Sequence, residues 1–306
     1  MNIAGEIRHV EFAESNTRAH RKTHSHGRWT LEYAVLSSPA ANSVGLTPIG
    51  ITFGFHGFAR PLEDFLAVVP HWPKEDCLIA IHLLHHGNSG PSSASQPSDM
   101  AIEPWELDAL LEEIALIEAP HAARRRILGY SIGGRVALTL LVFNPKKWDL
   151  VVLMAPDGLK KAPLYQLTVH TRLGRWMWFY IDRHSDRILR WNDRLLSWRL
   201  ISKHLHGFGE FHIKSHEMRM MVWNGWRAHR SCWPSHRAIH KACQQTTQPI
   251  HLFFGLHDQI IPPGNGQRLK RMTHALPHVQ FHHLSSGHAM LKDRILDEVV
   301  QRIFPA

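Results

Sequence analysis

The sequence predicts an α/β protein: a mostly parallel central sheet flanked by helices, with one helical insertion. Three observations predict it. Short apolar runs alternate with stretches of helical periodicity at both ends of the chain. A Gly-x-Ser-x-Gly turn at Gly129–Gly133 stands between a run that reads as strand and one that reads as helix. The alternation lapses between Gly158 and Thr246, where seven of the eleven tryptophans lie among Arg and His.

In chain order, Ile7–Phe12, Trp29–Leu36, Pro48–Phe55 and Cys77–Leu83 read as strands, and Asn88–Asp99, rich in Ser, Gly and Pro, as a surface loop. Leu107, Leu110, Leu111, Ile114 and Ile117 recur at helical spacing, with Pro104 tolerable in a first turn. Arg126–Gly129 is expected as strand, Ile132–Phe143 as helix and Leu150–Met154 as strand. After the insertion come strand Ile250–Phe254, helix Asn265–Thr273, strand Val279–Leu284 and a closing helix with Leu291, Ile295, Val299 and Ile303 on one stripe. The expected organisation is core 1–157, helical insertion 158–246 and core 247–306, with no internal repeat.

The chain of 306 residues is long enough for one large core with a sizeable insertion. At 44% hydrophobic and 20% charged it is too apolar for a disordered chain. No early apolar stretch suits a secretory signal and no run is long enough for a membrane span, so a cytoplasmic location is the default expectation. Cys77, Cys232 and Cys243, odd in number and at no ligand spacing, argue against a disulfide framework or zinc site. The net charge of +9 is uneven: residues 158–246 hold sixteen Lys/Arg against five Asp/Glu. No nucleic-acid-binding motif accompanies that charge.

Gly129-Tyr130-Ser131-Ile132-Gly133 has the form of a nucleophile elbow. Glycines flank the serine because a sharp strand-to-helix turn brings backbones too close for larger side chains. The hydroxyl then stands at a helix N-terminus, where N–H groups and the dipole favour developing negative charge. Further along, Asp258 lies in Phe254-Gly255-Leu256-His257-Asp258-Gln259-Ile260-Ile261-Pro262, and His288 in Ser286-Gly287-His288-Ala289-Met290, each after an expected strand. On these motifs, in the order Ser, acid, His, the chain resembles the α/β-hydrolase family from about Pro48 to Phe304, with the insertion in the family's lid position.

That resemblance implies a catalytic triad of Ser131, Asp258 and His288. A serine hydroxyl is a poor nucleophile until a base takes its proton, which His288 would do while Asp258 fixes the imidazole tautomer. It also implies that His56-Gly57-Phe58 is an oxyanion loop, with the backbone N–H groups of Phe58 and Ile132 as donors and His56, Gly57, Tyr130 and Arg135 beside the substrate. Asp157 is the second candidate for the acid, although a Pro-Asp-Gly turn also accounts for it. His82-Leu83-Leu84-His85-His86-Gly87-Asn88-Ser89 departs from the family's pattern of an acidic residue, two apolar positions and Gly-His-Gly-x-Ser, since His82 and His85 do not match. His24-Ser25-His26 lacks the partners a metal site needs and reads as loop.

The insertion admits two readings. Its Trp and Met residues line an acyl pocket while Arg attracts a carboxylate or phosphate, or Trp176, Trp178, Trp191, Trp198, Trp223 and Trp226 are its own small core and the basic residues its solvated face. The expected activity is cleavage of an ester, or of a thioester or amide, through an acyl-enzyme, with no metal or organic cofactor. The expected partner is a small acyl substrate, neutral or anionic; the oligomeric state is not readable. Two alternatives stand beside it. Gly129–Arg135 is also similar to the elbow of the menaquinone-pathway SHCHC synthase, a lyase in which the arginine helps hold an anionic substrate. The other is a binding protein of the same fold without catalysis, against which the intact Ser, Asp and His speak.

Overall fold

Ten strands, eight of them predicted by the apolar runs, lie side by side in one sheet among the described residues of the computed structural model, which are 8–10, 18–37, 47–93, 100–160 and 163–305. They are β1 Arg8–Val10, β2 Arg18–His26, β3 Trp29–Ser37, β4 Gly50–Phe55, β5 Asp76–Ile81, β6 Gly90–Pro91, β7 Arg124–Tyr130, β8 Leu150–Met154, β9 Ile250–Gly255 and β10 Val279–Leu284. The order across the sheet is β1-β2-β3-β5-β4-β7-β8-β9-β10, with β6 paired to β3. From β5 to β10 every pairing is parallel; β1, β2, β3 and β6 join antiparallel. Strands β4, β8 and β9 are buried at every position. Their unbroken apolar runs are the mark of parallel strands covered on both faces.

Helices α1 Pro104–Glu118 and α2 Ile132–Phe143 flank the sheet, followed by α3 Pro163–His170, α4 Arg172–Arg183, α5 Ser185–Ser197, α6 Lys203–Ile213, α7 His216–Ala228, α8 His236–Gln244, α9 Gln267–Met272 and α10 Asp293–Ile303. The chain divides into two compact units: one of Met1–Gln96, Ile102–Lys160 and Ser231–Ala306, the other of Pro97–Ala101 and Lys161–Arg230. The second unit is therefore narrower than the expected insertion of 158–246. Helix α8 belongs to the first because its Ile239, Ala242 and Cys243 are buried there. Within the second unit Trp178 and Trp223 are buried and stack at 6.0 Å. Trp176, Trp191 and Trp198 are 63%, 48% and 58% exposed, so they are not the small core that the sequence suggested.

Two further expectations are corrected. His24-Ser25-His26 is not loop but the end of β2, in register with Thr30 and Leu31 of β3 and with Trp29. The strand escaped notice because its helix-facing side is ionic: Lys22 pairs with Glu118 of α1, and both His24 and His26 meet Glu113. Period-2 patterning was present, with charge in place of apolar residues. The helix expected at Asn265–Thr273 begins as a 3-10 turn over Pro263–Gly266 and becomes α-helical only from Gln267. Ile7, Glu11 and Phe12 of the first expected strand, and residues 94–99 of the expected loop, lie outside the described residues.

Candidate active site

Strand β7 delivers the chain to Ser131, whose φ of 55° and ψ of −119° lie in the left-handed region that a serine rarely adopts. Such a conformation costs about 1–3 kcal/mol and persists where the surroundings over-determine it. Here they do: Ser131 N–H donates to Met154 at the end of β8, and the Ser131 carbonyl accepts from Gly134 and Asp157. Close approach then fixes the neighbours. A Cβ on Gly133 would stand 2.0 Å from the carbonyl oxygen of Phe55, so the first turn of α2 lies directly against the end of β4.

The three candidates of the sequence converge. Ser131 Oγ donates to His288 Nε2 at 3.0 Å, and His288 Nδ1–H donates to Asp258 Oδ2 at 2.8 Å. The Asp258 side chain is fully buried, and its other oxygen accepts from the N–H groups of Ile260 and Ile261 at 2.8 Å each. The turn that expels Asp258 from β9 thus aims the free oxygen at the imidazole. Asp157 takes no part: its carboxylate accepts from Gly158 N–H and lies 3.7 Å from Arg135. It sits in the turn of the second reading, and the carboxylate that meets His288 is that of Asp258.

The residues expected beside a substrate are arranged differently. His56 is fully buried, donates through Nδ1 to Gly57 O and accepts at Nε2 from Leu83 N–H. With both nitrogens bonded to backbone it ties the chain after β4 to the chain after β5. Gly57 is buried against the Tyr130 ring, which a Cβ would meet at 3.0 Å. Tyr130 is buried as well; its hydroxyl donates to the His288 carbonyl at 2.9 Å and its ring lies 5.4 Å from the imidazole. It positions His288. Arg135 is 1% exposed, with its guanidinium 4.6 Å over the Trp233 ring. Sequence order places these four near the elbow; the side chains of His56, Tyr130 and Arg135 are engaged there with groups of the protein. Phe58 and Ile132 follow β4 and open α2 respectively.

Tyr130→Phe should lower turnover about fivefold to tenfold and stability by about 1 kcal/mol, because one buried hydrogen bond of that size holds His288 in place. Steady-state kinetics of the variant test this, and an unaltered kcat would remove Tyr130 from the site.

Sequence reasoning missed a buried histidine network behind residues 56–59. His86 Nε2 accepts from Ala59 N–H at 3.0 Å, and its ring meets those of His56 and Phe58 edge-on at 4.9 and 5.3 Å. His82 Nδ1 donates to Glu32 Oε2 at 2.9 Å, and Asn88 N–H donates to the same oxygen at 2.7 Å. The bond from His82, above all, brings the Glu32 carboxyl down to about 2. Glu32 of β3 supplies the carboxylate that the sequence motif lacks at position 82. No local signal could have found it, since the two positions are fifty residues apart. Among the described residues no group of three or more His, Cys, Asp or Glu is placed to hold a metal ion.

Burial pushes His86 down to about 4 from 6.5. It must be neutral to accept from Ala59, so the folded state binds fewer protons than the unfolded one between these values. Stability is whole above pH 6.5 and is lost as pH falls towards 4, by about 3 kcal/mol from this group. Urea midpoints across that range should fall more steeply for the wild type than for His86→Gln, whose amide oxygen can accept without titrating. Parallel curves would refute the assignment.

No protein-family model matches the chain. Over 119 residues it is 30% identical to the dihydrolipoyllysine-residue acetyltransferase component of an acetoin cleaving system from Pseudomonas putida. That match covers 39% of this chain and 29% of the relative, so the chain spans less than a third of that protein. Solved structures match far more widely. MGS-M2, an α/β hydrolase enzyme from a Medee basin deep-sea metagenome, superposes with a TM-score of 0.60 at 15% identity, covering 93% of this chain and 97% of its own. A serine hydrolase from the polyaromatic hydrocarbon-degrading bacterium Cycloclasticus zankles gives 0.55 at 16%, covering 94% and 98%. At such identities the likeness shows the fold alone.

Proposed function

From the α/β-hydrolase fold that the chain adopts, we propose that it is a serine hydrolase cleaving an ester, with thioesters or amides as second choices, in a cytoplasmic setting. The observation that carries this reading is the unbroken hydrogen-bonded chain from Asp258 through His288 to Ser131. In the proposed cycle His288 Nε2 takes the Ser131 proton as Oγ bonds to the acyl carbon, and the oxyanion forms against the N–H groups of Phe58 and Ile132. The imidazolium returns the proton to the leaving oxygen as the carbonyl re-forms. Water, deprotonated by His288, then attacks the acyl-enzyme and restores Ser131.

The lyase alternative needs Arg135 turned to an anionic substrate, and burial of that side chain against Trp233 speaks for the hydrolase instead. A fluorophosphonate probe should label the wild-type chain and fail to label Ser131→Ala, and the wild type should turn over at least one member of an ester and thioester panel. A folded wild type that is neither labelled nor active would favour the binding protein; pyruvate released from an anionic precursor would favour the lyase.

A further inference from the structure

Outside the site, the most uneven surface is on α4 and α5 of the second unit. Residues 172–200 hold seven arginines and no lysine against three aspartates. On α4, Leu173, Trp176 and Tyr180 fall within about 60° of one another at 100° per residue. They are 57%, 63% and 41% exposed, opposite the buried Trp178 and Gly174. Arg172 and Arg183 flank this stripe, and Trp176 stacks on Tyr180 at 5.7 Å. On α5 and its C-cap, Arg187, Trp191, Arg194 and Trp198 share another arc of about 60°. The Arg194 guanidinium lies 5.3 Å over the Trp191 ring, and Trp198 meets Trp191 edge-on at 6.4 Å.

The carboxylates are held elsewhere. Asp182 is engaged by Arg219 and His216 of α7, Asp193 by His206 of α6, and Asp186 and Asp193 stand about 80° or more outside the α5 stripe. Both stripes therefore combine apolar or amphipathic rings with arginine and contain no acid. We propose that this face docks on an anionic phospholipid surface. Indole and phenol rings settle at the headgroup level of a bilayer, and arginines pair with lipid phosphates while their stems stay among apolar groups. Leu173 and Leu200, 57% and 67% exposed, suit the acyl boundary and gain nothing from a nucleic-acid backbone. A second copy of the same face would set arginine against arginine. Among the described residues no helix is long and apolar enough to cross a membrane, so the mode is peripheral. The proposal does not depend on the chemistry at Ser131.

The full chain should co-sediment with vesicles of phosphatidylcholine containing phosphatidylglycerol, bind phosphatidylcholine alone far more weakly, and be released by salt. R187Q/R194Q and W176Q/W191Q should each weaken partitioning about tenfold with unchanged unfolding midpoints, and brominated lipid should quench tryptophan emission less in the second variant. Absence of binding at low salt would overturn the proposal, as would equal binding to the neutral lipid or wild-type binding by both variants. Release of the vesicle-bound chain by a short DNA duplex at equal charge would assign the face to nucleic acid.

Discussion

Replacing Asp258 by asparagine is expected to lower turnover of an activated ester by about ten-thousand-fold while the chain stays folded. The amide oxygen can go on accepting from Ile260 and Ile261, so the turn after β9 keeps its shape. The amide nitrogen, however, would face His288 Nδ1 in place of the carboxylate oxygen now 2.8 Å away. An N–H donor there forces the proton onto Nε2, the atom that must receive it from Ser131. The measurement is kcat with the unfolding midpoint of the same preparation. A loss under tenfold would mean that Asp258 is not the acid of this site.

Gly133→Ala should cost about 3 kcal/mol or more of stability and most of the activity with it. The added Cβ would meet the Phe55 carbonyl oxygen at 2.0 Å, its carbon at 2.4 Å and the His56 oxygen at 2.7 Å. All three are backbone atoms of a buried strand end and cannot swing aside. Relief requires moving the first turn of α2 away from residues 55–58, which separates the two segments proposed to hold the oxyanion. Gly207→Ala on α6 is the control: nothing lies within 4 Å of a Cβ there, so helix propensity alone should raise stability by up to about 1 kcal/mol. Urea denaturation of both variants should give shifts of opposite sign; a neutral Gly133→Ala would show that the elbow tolerates more room than its geometry allows.

The elements that were legible were those marked by a run of apolar residues between clear breaks. Helix α2 and strands β8 and β10 have the boundaries expected from their sequence; α2 and β8 are buried almost throughout, and β10 is buried at Val279 and Leu284, its two ends. Strand β2 was not legible because its inward residues are Lys22, His24 and His26, satisfied by acids of α1 that lie nearly ninety residues away or more. Exposed Trp176, Trp191 and Trp198 were misassigned for the converse reason: a tryptophan's size argues for a core, and only the position of α4 and α5 leaves these three about half exposed or more.

By itself the sequence determined the α/β class and the elbow, and named Ser131, Asp258 and His288, because strand-turn-helix punctuation and residue order are local properties. The tertiary structure set Asp258, and not Asp157, against His288, engaged His56, Tyr130 and Arg135 with groups of the protein, and joined Glu32 to His82. Which groups meet, and which side of a helix faces water, depend on how distant segments pack, and spacing along the chain does not encode that.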